Sequence, residues 1–313
     1  MKRQFLLFAL LALAPAAPST VLVHEPFAAA DYAVGAVKNL ADPAPVSGNV
    51  GFTAERRWYC TNTGVVFVLE DDLGFGGEAS GGSGRSIGWK SGDVNRDGSR
   101  GAYRQVADGA FPTSGTFYFR VLVREAVGAK WNDDWHRRCG FQSYGFDGVG
   151  NVGPFGDSEH WVGERPFGYY FGVVPGSGPQ FVLRRKTATS SYLEFWHHDC
   201  LGTLVGEVEQ GTTYLCLAKI EIGAGTGGHD RASALAVPVG DWDWNGRDEP
   251  AWTVSTDDAG FTLATVSPTP DNLQLYGAYE TGNVSVAFDE IMLATRLSDA
   301  VPNTHNGTVI VVK

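Results

Sequence analysis

Apolar and polar residues alternate in short runs along most of the chain, which is the pattern of β-strands that bury one face. Almost no segment has the apolar spacing of an amphipathic helix. Clusters of Gly, Asn, Asp and Pro separate the runs and provide turns. Strands without intervening helices predict two packed antiparallel sheets or a barrel. The predicted strands are 65–70, 116–124, 169–174, 180–185, 192–197, 213–222, 232–239, 262–266, 273–279 and 284–294.

The N-terminus has the layout of a secretory signal peptide. Lys2 and Arg3 precede an unbroken apolar run at 5–13, and Ala-Pro-Ala follows at 14–16. This run is shorter than the about 20 residues that span a bilayer, and no later stretch is apolar enough to do so. We therefore predict a signal peptide at 1–16, no membrane span, and a mature protein that is secreted or held at the cell surface.

Composition narrows the class of partner. The net charge of −11 argues against nucleic acid as a partner, because its phosphates require a basic surface.

The 41 Gly and nine Trp suit many tight turns between short aromatic strands. No linker and no internal repeat interrupts the pattern, and one all-β sandwich can be this long. Residues 17–313 are therefore predicted to form a single domain.

Four cysteines, Cys60, Cys139, Cys200 and Cys216, predict disulfides in an exported chain. Three pairings are open to four cysteines. Cys200 and Cys216 flank a turn-rich segment, so our first choice is a local bridge between them, with Cys60–Cys139 as the long-range bridge. A zinc site is not expected because no CxxC pair exists.

Several short segments, taken in order, resemble one family. They are VLVHEPF at 21–27, YAVG at 32–35, GF at 51–52 with Trp58, LGFGG at 73–77, GTFYFRVLVR at 115–124 and VAFDEIMLAT at 286–295. This set resembles the LamG-like, concanavalin A-like proteins that bacteria export. The resemblance implies a jelly-roll sandwich of two antiparallel sheets, in which the opening and closing strands are neighbours in one sheet.

The closing segment carries an acidic pair. Strict alternation would place Asp289 with Ile291 and Leu293 on one face and Glu290 with Phe288 on the other. Both faces would then be mixed, so Asp289 or Glu290 is expected to meet a backbone or side-chain partner. The resemblance implies a structural role for this pair, and we do not treat it as catalytic.

Two loops have the oxygen spacing of calcium loops. The first contains Asp93, Asn95 and Asp97, and neither loop has an acid at the twelfth position of an EF-hand. Turns rich in Asp and Asn explain both loops more simply. No cofactor is required by the sequence, and Ca²⁺ is the one candidate. The second loop is the better calcium candidate because further acids follow it; its residues are Asp241, Asp243, Asn245 and Asp248.

Catalytic patterns are weak. Glycoside hydrolases on this fold place paired carboxylates on one strand facing a cleft, and their Glu-x-Asp-x-x-Glu pattern does not occur here. The nearest substitutes are Glu207 with Glu209 and Asp157 with Glu159, and the second pair, beside His160 in a Gly-rich stretch, is the better candidate. No Gly-x-Ser-x-Gly elbow or phosphate loop is present in the sequence. We therefore favour a protein without catalytic activity.

Aromatic residues cluster in the longest irregular region. Flat rings beside carboxylates and amides provide what a saccharide needs, although β-sandwiches also bury many Trp side chains in their cores. Long loops on a rigid sandwich often carry function. The candidate ligand-binding residues are Trp131, Asp133, Trp135, Tyr144 and Trp161.

Three functions remain open from the sequence. The leading one is a noncatalytic secreted or surface protein that binds a glycan or another extracellular polymer. The second is a polysaccharide-cleaving enzyme that uses Asp157 and Glu159. The third is a coat or filament subunit that self-associates through sheet edges or the terminal segment 308–313.

Overall fold

The computed structural model describes residues 21–28, 31–36, 50–52, 58–60, 66–74, 85–89, 100–127, 137–142, 168–175, 191–196, 202–245, 248–259, 262–264, 272–277 and 286–301. These residues form sixteen strands, numbered in chain order: β1 (Val21–Glu25), β2 (Gly35–Ala36), β3 (Trp58–Cys60), β4 (Val66–Leu69), β5 (Ser86–Trp89), β6 (Arg100–Gln105), β7 (Thr116–Glu125), β8 (Arg137–Gln142), β9 (Gly168–Pro175), β10 (Ser191–Trp196), β11 (Gly202–Val208), β12 (Thr213–Glu221), β13 (Arg231–Pro238), β14 (Val254–Thr256), β15 (Asn272–Gly277) and β16 (Val286–Ala294). One short α-helix, α1 (Leu297–Ala300), follows β16.

The strands form two antiparallel sheets. The nine-stranded sheet has the order β14-β13-β12-β7-β16-β5-β4-β2, and β1 also pairs with β16. The seven-stranded sheet has the order β11-β10-β9-β8-β15-β6-β3. The predicted all-β jelly-roll sandwich is therefore confirmed. The expected adjacency of the opening and closing strands is confirmed too, because β1 pairs with β16 along 291–294.

The main core lies between the sheets. On β7 the odd-numbered residues Phe117, Phe119 and Val121 are buried in it. The rings of Phe119 and of Phe141 on β8 cross the core edge to face, 5.4 Å apart. Strand alternation explains this arrangement, because successive residues of β7 point to opposite faces.

A second apolar layer covers the outer face of the nine-stranded sheet. Leu122, Leu215 and Leu217 are buried there, on the opposite face from the main core. Two segments supply the cover, one carrying Trp242 and Trp244 and the other running through α1. This sheet is therefore packed on both faces in the region of β7 and β12.

A β-bulge interrupts β16. Asp289 pairs with Leu122, but Met292 pairs with Arg120, so two residues of β16 lie opposite the single residue between them on β7. The extra residue at this bulge is Glu290, whose φ is +49°. The bulge reverses the alternation along the rest of the strand.

The prediction from strict alternation was therefore wrong for the second half of β16, because the residues after the bulge lie on the opposite face. Phe288, Ile291 and Leu293 all lie in the main core, although strict alternation would separate Phe288 from the other two. The expectation of a partner for the acidic pair is confirmed. Asp289 accepts one hydrogen bond from the backbone N–H of Leu73 at 3.0 Å and another from that of Glu290 at 2.7 Å.

The Glu290 carboxylate joins the bulge to β7 and β1. Its Oε2 accepts a hydrogen bond from Arg120 at 2.7 Å, and Nε2 of His24 lies 3.0 Å from the same oxygen. Arg120 also donates to the carbonyl oxygens of Glu290, at 3.1 Å, and of Ala300, at 2.8 Å. Burial lowers the pKa of Arg120, although the charges of Glu290 and Asp289 act in the opposite direction. The network thus fixes the bulge and α1 against the sheet.

A second buried ion pair joins the two sheets. Arg104 of β6 donates to Oε2 of Glu25 of β1, and both side chains are fully buried. The hydroxyl of Tyr32 donates to the same carboxylate at 2.7 Å, and the Arg104 guanidinium lies 4.0 Å above the ring of Phe52. Burying this pair costs desolvation free energy. An arrangement of the sheets that separated the two charges would cost more, because each charge would be buried without its partner.

Neither predicted disulfide is formed. Cys60 and Cys139 share one row across the sheet, with Ala102 and Leu275 between them. Three strand spacings, roughly 14 Å, separate them, whereas a disulfide needs Cα atoms within about 7 Å. Cys139 and Cys216 are free, buried thiols, so no Cys200–Cys216 bridge exists either; Cys200 lies outside the described residues. Burial raises the pKa of both thiols.

Two further sequence predictions can be compared with the structure. The predicted strand at 262–266 is wrong over its described part, because 262–264 form a turn in which Leu263 N–H donates to Asp230. The predicted strand at 180–185 lies outside the described residues.

Within the described ranges, no helix is long and apolar enough to cross a membrane.

Candidate ligand-binding face

The residues on the outer face of the seven-stranded sheet can be assigned from those on its inner face, which packs in the main core. Cys139, Phe141 and Leu273 are buried in the main core, so every second residue of β8 and β15 belongs to the inner face. The intervening residues belong to the outer face. The regular pairing of β8 with β9, and of β9 with β10, extends this assignment across the sheet.

Two rows of residues cross the middle of this outer face. The first contains, in strand order β6, β15, β8, β9 and β10, Gly101, Tyr276, Arg138, Gly172 and Glu194. The second contains, from β3 to β10, Tyr59, Tyr103, Gln274, Gly140, Tyr170 and Trp196. We call these two rows the central grid. It combines aromatic residues, an amide, two charges and glycines on one sheet face.

Neighbouring rows continue the same composition. Beyond the second row, Gln105, Asn272 and Gln142 lie beside one another, followed by Gly168. Beyond the first row, Tyr192 lies beside Val174 and Glu207. Amide and aromatic residues therefore occupy outer-face positions over four successive rows.

Glycines occupy the centre of the central grid. Gly140 of β8 pairs with Tyr170, and Gly172 of β9 pairs with Arg138. Glycine in a strand interior weakens the strand, and it often marks a place where a ligand approaches the backbone closely. The two glycines alternate with Arg138 and Tyr170 in these rows, so the centre of the face has two positions without a side chain.

The candidate ligand residues from the sequence belong to segments that join this sheet. Residues 128–136, with Trp131, Asp133 and Trp135, lead directly into β8, the central strand of the sheet. Residues 143–167, with Tyr144 and Trp161, connect β8 to β9. All five candidates, and the candidate catalytic pair Asp157 and Glu159, lie outside the described residues.

The second calcium candidate lies on the other sheet. Trp242 and Trp244 are buried against the outer face of the nine-stranded sheet, and Asp241, Asp243 and Asn245 alternate with them on the exposed side. These residues form a cover segment, which its Trp side chains anchor to the sheet.

Hydrogen bonds between Asp248 and the residues just before it close this segment. Its backbone N–H donates to Asn245 Oδ1 at 3.2 Å, and its own carbonyl accepts from Trp244 Nε1 at 2.6 Å. Among the described residues, no group of three or more His, Cys, Asp or Glu side chains could hold a metal ion. Asp93, Asn95 and Asp97 lie outside those residues, and calcium binding stays a prediction.

A hydrogen-bonded cluster holds the end of the cover segment. Glu249 accepts from Tyr118 at 3.0 Å and from Trp252 at 2.9 Å, and Nζ of Lys219 lies 3.1 Å from it. Partial burial raises the pKa of Glu249, but these three donors outweigh it and the net shift is downward. Burial, with the Glu249 charge, raises the pKa of Tyr118. The cluster is an anchor for the cover segment.

Comparisons with known proteins give structural likenesses alone. No protein-family model and no curated protein matches the chain. A carbohydrate esterase of the Shiga toxin-encoding bacteriophage phi24B is similar at 11% identity and a TM-score of 0.45, covering 88% of this chain and 98% of that one. The globular domain of T. cruzi calreticulin has 11% identity and a TM-score of 0.44, covering 90% of each chain. Alginate lyase Aly36B, a mutant bound to an alginate trisaccharide, has 11% identity and a TM-score of 0.43, covering 89% of this chain and 99% of that one.

The central grid was missed by the sequence analysis. Its strands β9, β10 and β15 were predicted, but β3, β6 and β8 were not. Alternation in the predicted strands already separates Tyr170 and Gly172 from Phe171, and Glu194 and Trp196 from Phe195. What alternation could not give was the order of strands in the sheet, which brings these positions together.

Proposed function

We propose that this protein is a secreted or surface protein that binds a glycan on the outer face of its seven-stranded sheet. The observation that carries the proposal is the central grid, where Tyr103, Tyr170 and Trp196 share one row with Gln274 and Gly140. Aromatic surfaces with a few polar groups are what a ligand site commonly presents.

The chemistry of a sugar ring suits this composition. One face of the ring is a patch of C–H bonds that packs on an aromatic ring, and its rim carries hydroxyls that both donate and accept hydrogen bonds. Amide residues such as Gln274 and Gln142 can serve both roles. The glycines at Gly140 and Gly172 would let such a ring approach the sheet.

Binding to a panel of immobilised polysaccharides tests the proposal. Purified protein should be retained by at least one of them, and Tyr170→Ala or Trp196→Ala should weaken binding about fivefold or more, the effect of losing a central aromatic contact. Trp252→Ala is the matched control, because Trp252 lies against the nine-stranded sheet and should leave binding unchanged. Equal losses in all three variants, or retention by no polysaccharide, would contradict the proposal.

The same incubation distinguishes binding from cleavage. We expect the polysaccharide to be recovered at its original length. Release of shorter products, abolished by Glu159→Gln, would show instead that the chain is an enzyme using Asp157 and Glu159.

A further inference from the structure

We infer that the glycan is uncharged and rich in hydroxyls, and that Arg138 and Glu194 select it from the two sides of Gly172. This inference depends on the proposed function and names its ligand class. Arg138 pairs with Gly172, and Gly172 pairs with Glu194. The cation and the acid therefore lie in one row of the central grid, two strand spacings or about 10 Å apart, with a glycine between them.

The two residue types have opposite hydrogen-bonding capacities. A guanidinium only donates hydrogen bonds, and an ionised carboxylate only accepts them. A sugar hydroxyl does both, so a unit with several hydroxyls can satisfy Arg138 and Glu194 together. Hydrogen bonds to charged groups are also the stronger ones.

Charged sugars fit this row poorly. The carboxylate of a uronic acid accepts from Arg138 but is repelled by Glu194. The ammonium group of a glucosamine donates to Glu194 but is repelled by Arg138. The pair thus favours a neutral unit over both charged classes, which is specificity by unfavourable contacts as well as by favourable ones.

The charge of the whole chain favours the same class of ligand. The net charge is −11, which opposes the approach of a polyanion. A basic run, Arg184-Arg185-Lys186, occurs in the sequence between β9 and β10, so its substitution is part of the binding experiment.

Affinities for three classes of polysaccharide provide the test. Hydroxyethyl cellulose and galactomannan represent the neutral class, alginate and polygalacturonate the polyanions, and chitosan the polycations. Binding is measured at low and high salt. We expect the tightest binding to a neutral polysaccharide, with little change between the two salt concentrations because no ion pair with the ligand is formed.

Two variants test the selecting pair. Arg138→Gln and Glu194→Gln should each weaken neutral binding about tenfold, the effect of losing a hydrogen bond to a charged group. Glu194→Gln should also strengthen alginate binding, because the repulsion is removed. Circular dichroism and the melting temperature establish that both variants fold.

Each contrary outcome has a separate meaning. Salt-sensitive alginate binding that exceeds all neutral binding, and is lost in Arg138→Gln or when Arg184, Arg185 and Lys186 are all changed to Gln, would overturn the inference while the proposed function stands. Neutral binding unchanged in both pair variants would overturn the role of Arg138 and Glu194. Retention of no polysaccharide would overturn the proposed function and this inference with it.

Discussion

The outer face of the nine-stranded sheet carries Leu122, Leu215 and Leu217, whereas the central grid on the seven-stranded sheet carries Tyr, Trp, Gln, Arg and Glu. Both faces arise from the same alternation of residues along strands. An apolar outer face must be covered, and this one is covered by the Trp242–Trp244 segment and α1. An outer face of aromatic, amide and charged residues has the composition of a ligand site. The first face is packed, and the second is the face on which we propose that a glycan binds.

The largest expected effect comes from exchanging one arginine on each face. Arg120→Met should destabilise the protein by about 3–5 kcal/mol, because it leaves the buried Glu290 carboxylate without its guanidinium. Arg138→Met should change the free energy of unfolding far less and should weaken glycan binding. Denaturant unfolding and glycan binding of both variants measure the two effects. Similar unfolding free energies for the two variants would contradict the conclusion that only the face of the nine-stranded sheet is packed.

The tryptophans should divide in the same way. Trp244→Ala should cost about 3 kcal/mol, because it removes a buried ring from the cover of the nine-stranded sheet. Trp196→Ala should reduce binding with a smaller loss of stability. Thermal unfolding of both variants, followed by binding at a temperature where both are folded, measures this. A stability loss in Trp196→Ala as large as that in Trp244→Ala would show that the central grid is packed as well.

A smaller effect is expected from pH at the bulge. Burial, with the nearby charge of Glu290, holds the pKa of Asp289 well above its ordinary value of 3.8. The folded protein therefore holds a proton at Asp289 more readily than the unfolded chain, and this contribution to stability is lost as the pH rises from about 4 through the folded pKa. Asp289→Asn should abolish that slope. Unfolding free energies of both proteins across the range measure the difference, and identical pH slopes would contradict the assignment.

Alternation predicted much of the fold because most strands are regular. Strands β7, β10, β12 and β13 fall within one or two residues of their predicted bounds, since each has long runs of apolar and β-branched residues. Shorter strands such as β3 and β5 are held by pairing with their neighbours, which a single sequence window does not contain. The bulge at Glu290 was missed for a similar reason. Its φ of +49° is stabilised by Arg120 and His24, which are distant in sequence.

The candidate site was harder to predict than the fold. Aromatic residues in the irregular segments suggested Trp131 and Tyr144, whereas the central grid draws its residues from six strands between Trp58 and Gly277. Its composition becomes visible only when the order of the strands is known. The disulfide predictions failed on the same point, because Cys60 and Cys139 lie in one row but three strands apart.

The pairing of β1 with β16 has a consequence for how the chain acquires its structure. His24 and Met292 are partners in this ladder, so the first strand has its neighbour only after nearly the whole chain has been made. Contacts between such distant parts of a sequence slow folding, because a long loop must close before they form. A growing chain should therefore stay open until synthesis reaches β16, which is the state in which a polypeptide can be threaded through a translocation channel. Limited proteolysis of chains truncated before 286 should find them digested much faster than the complete protein.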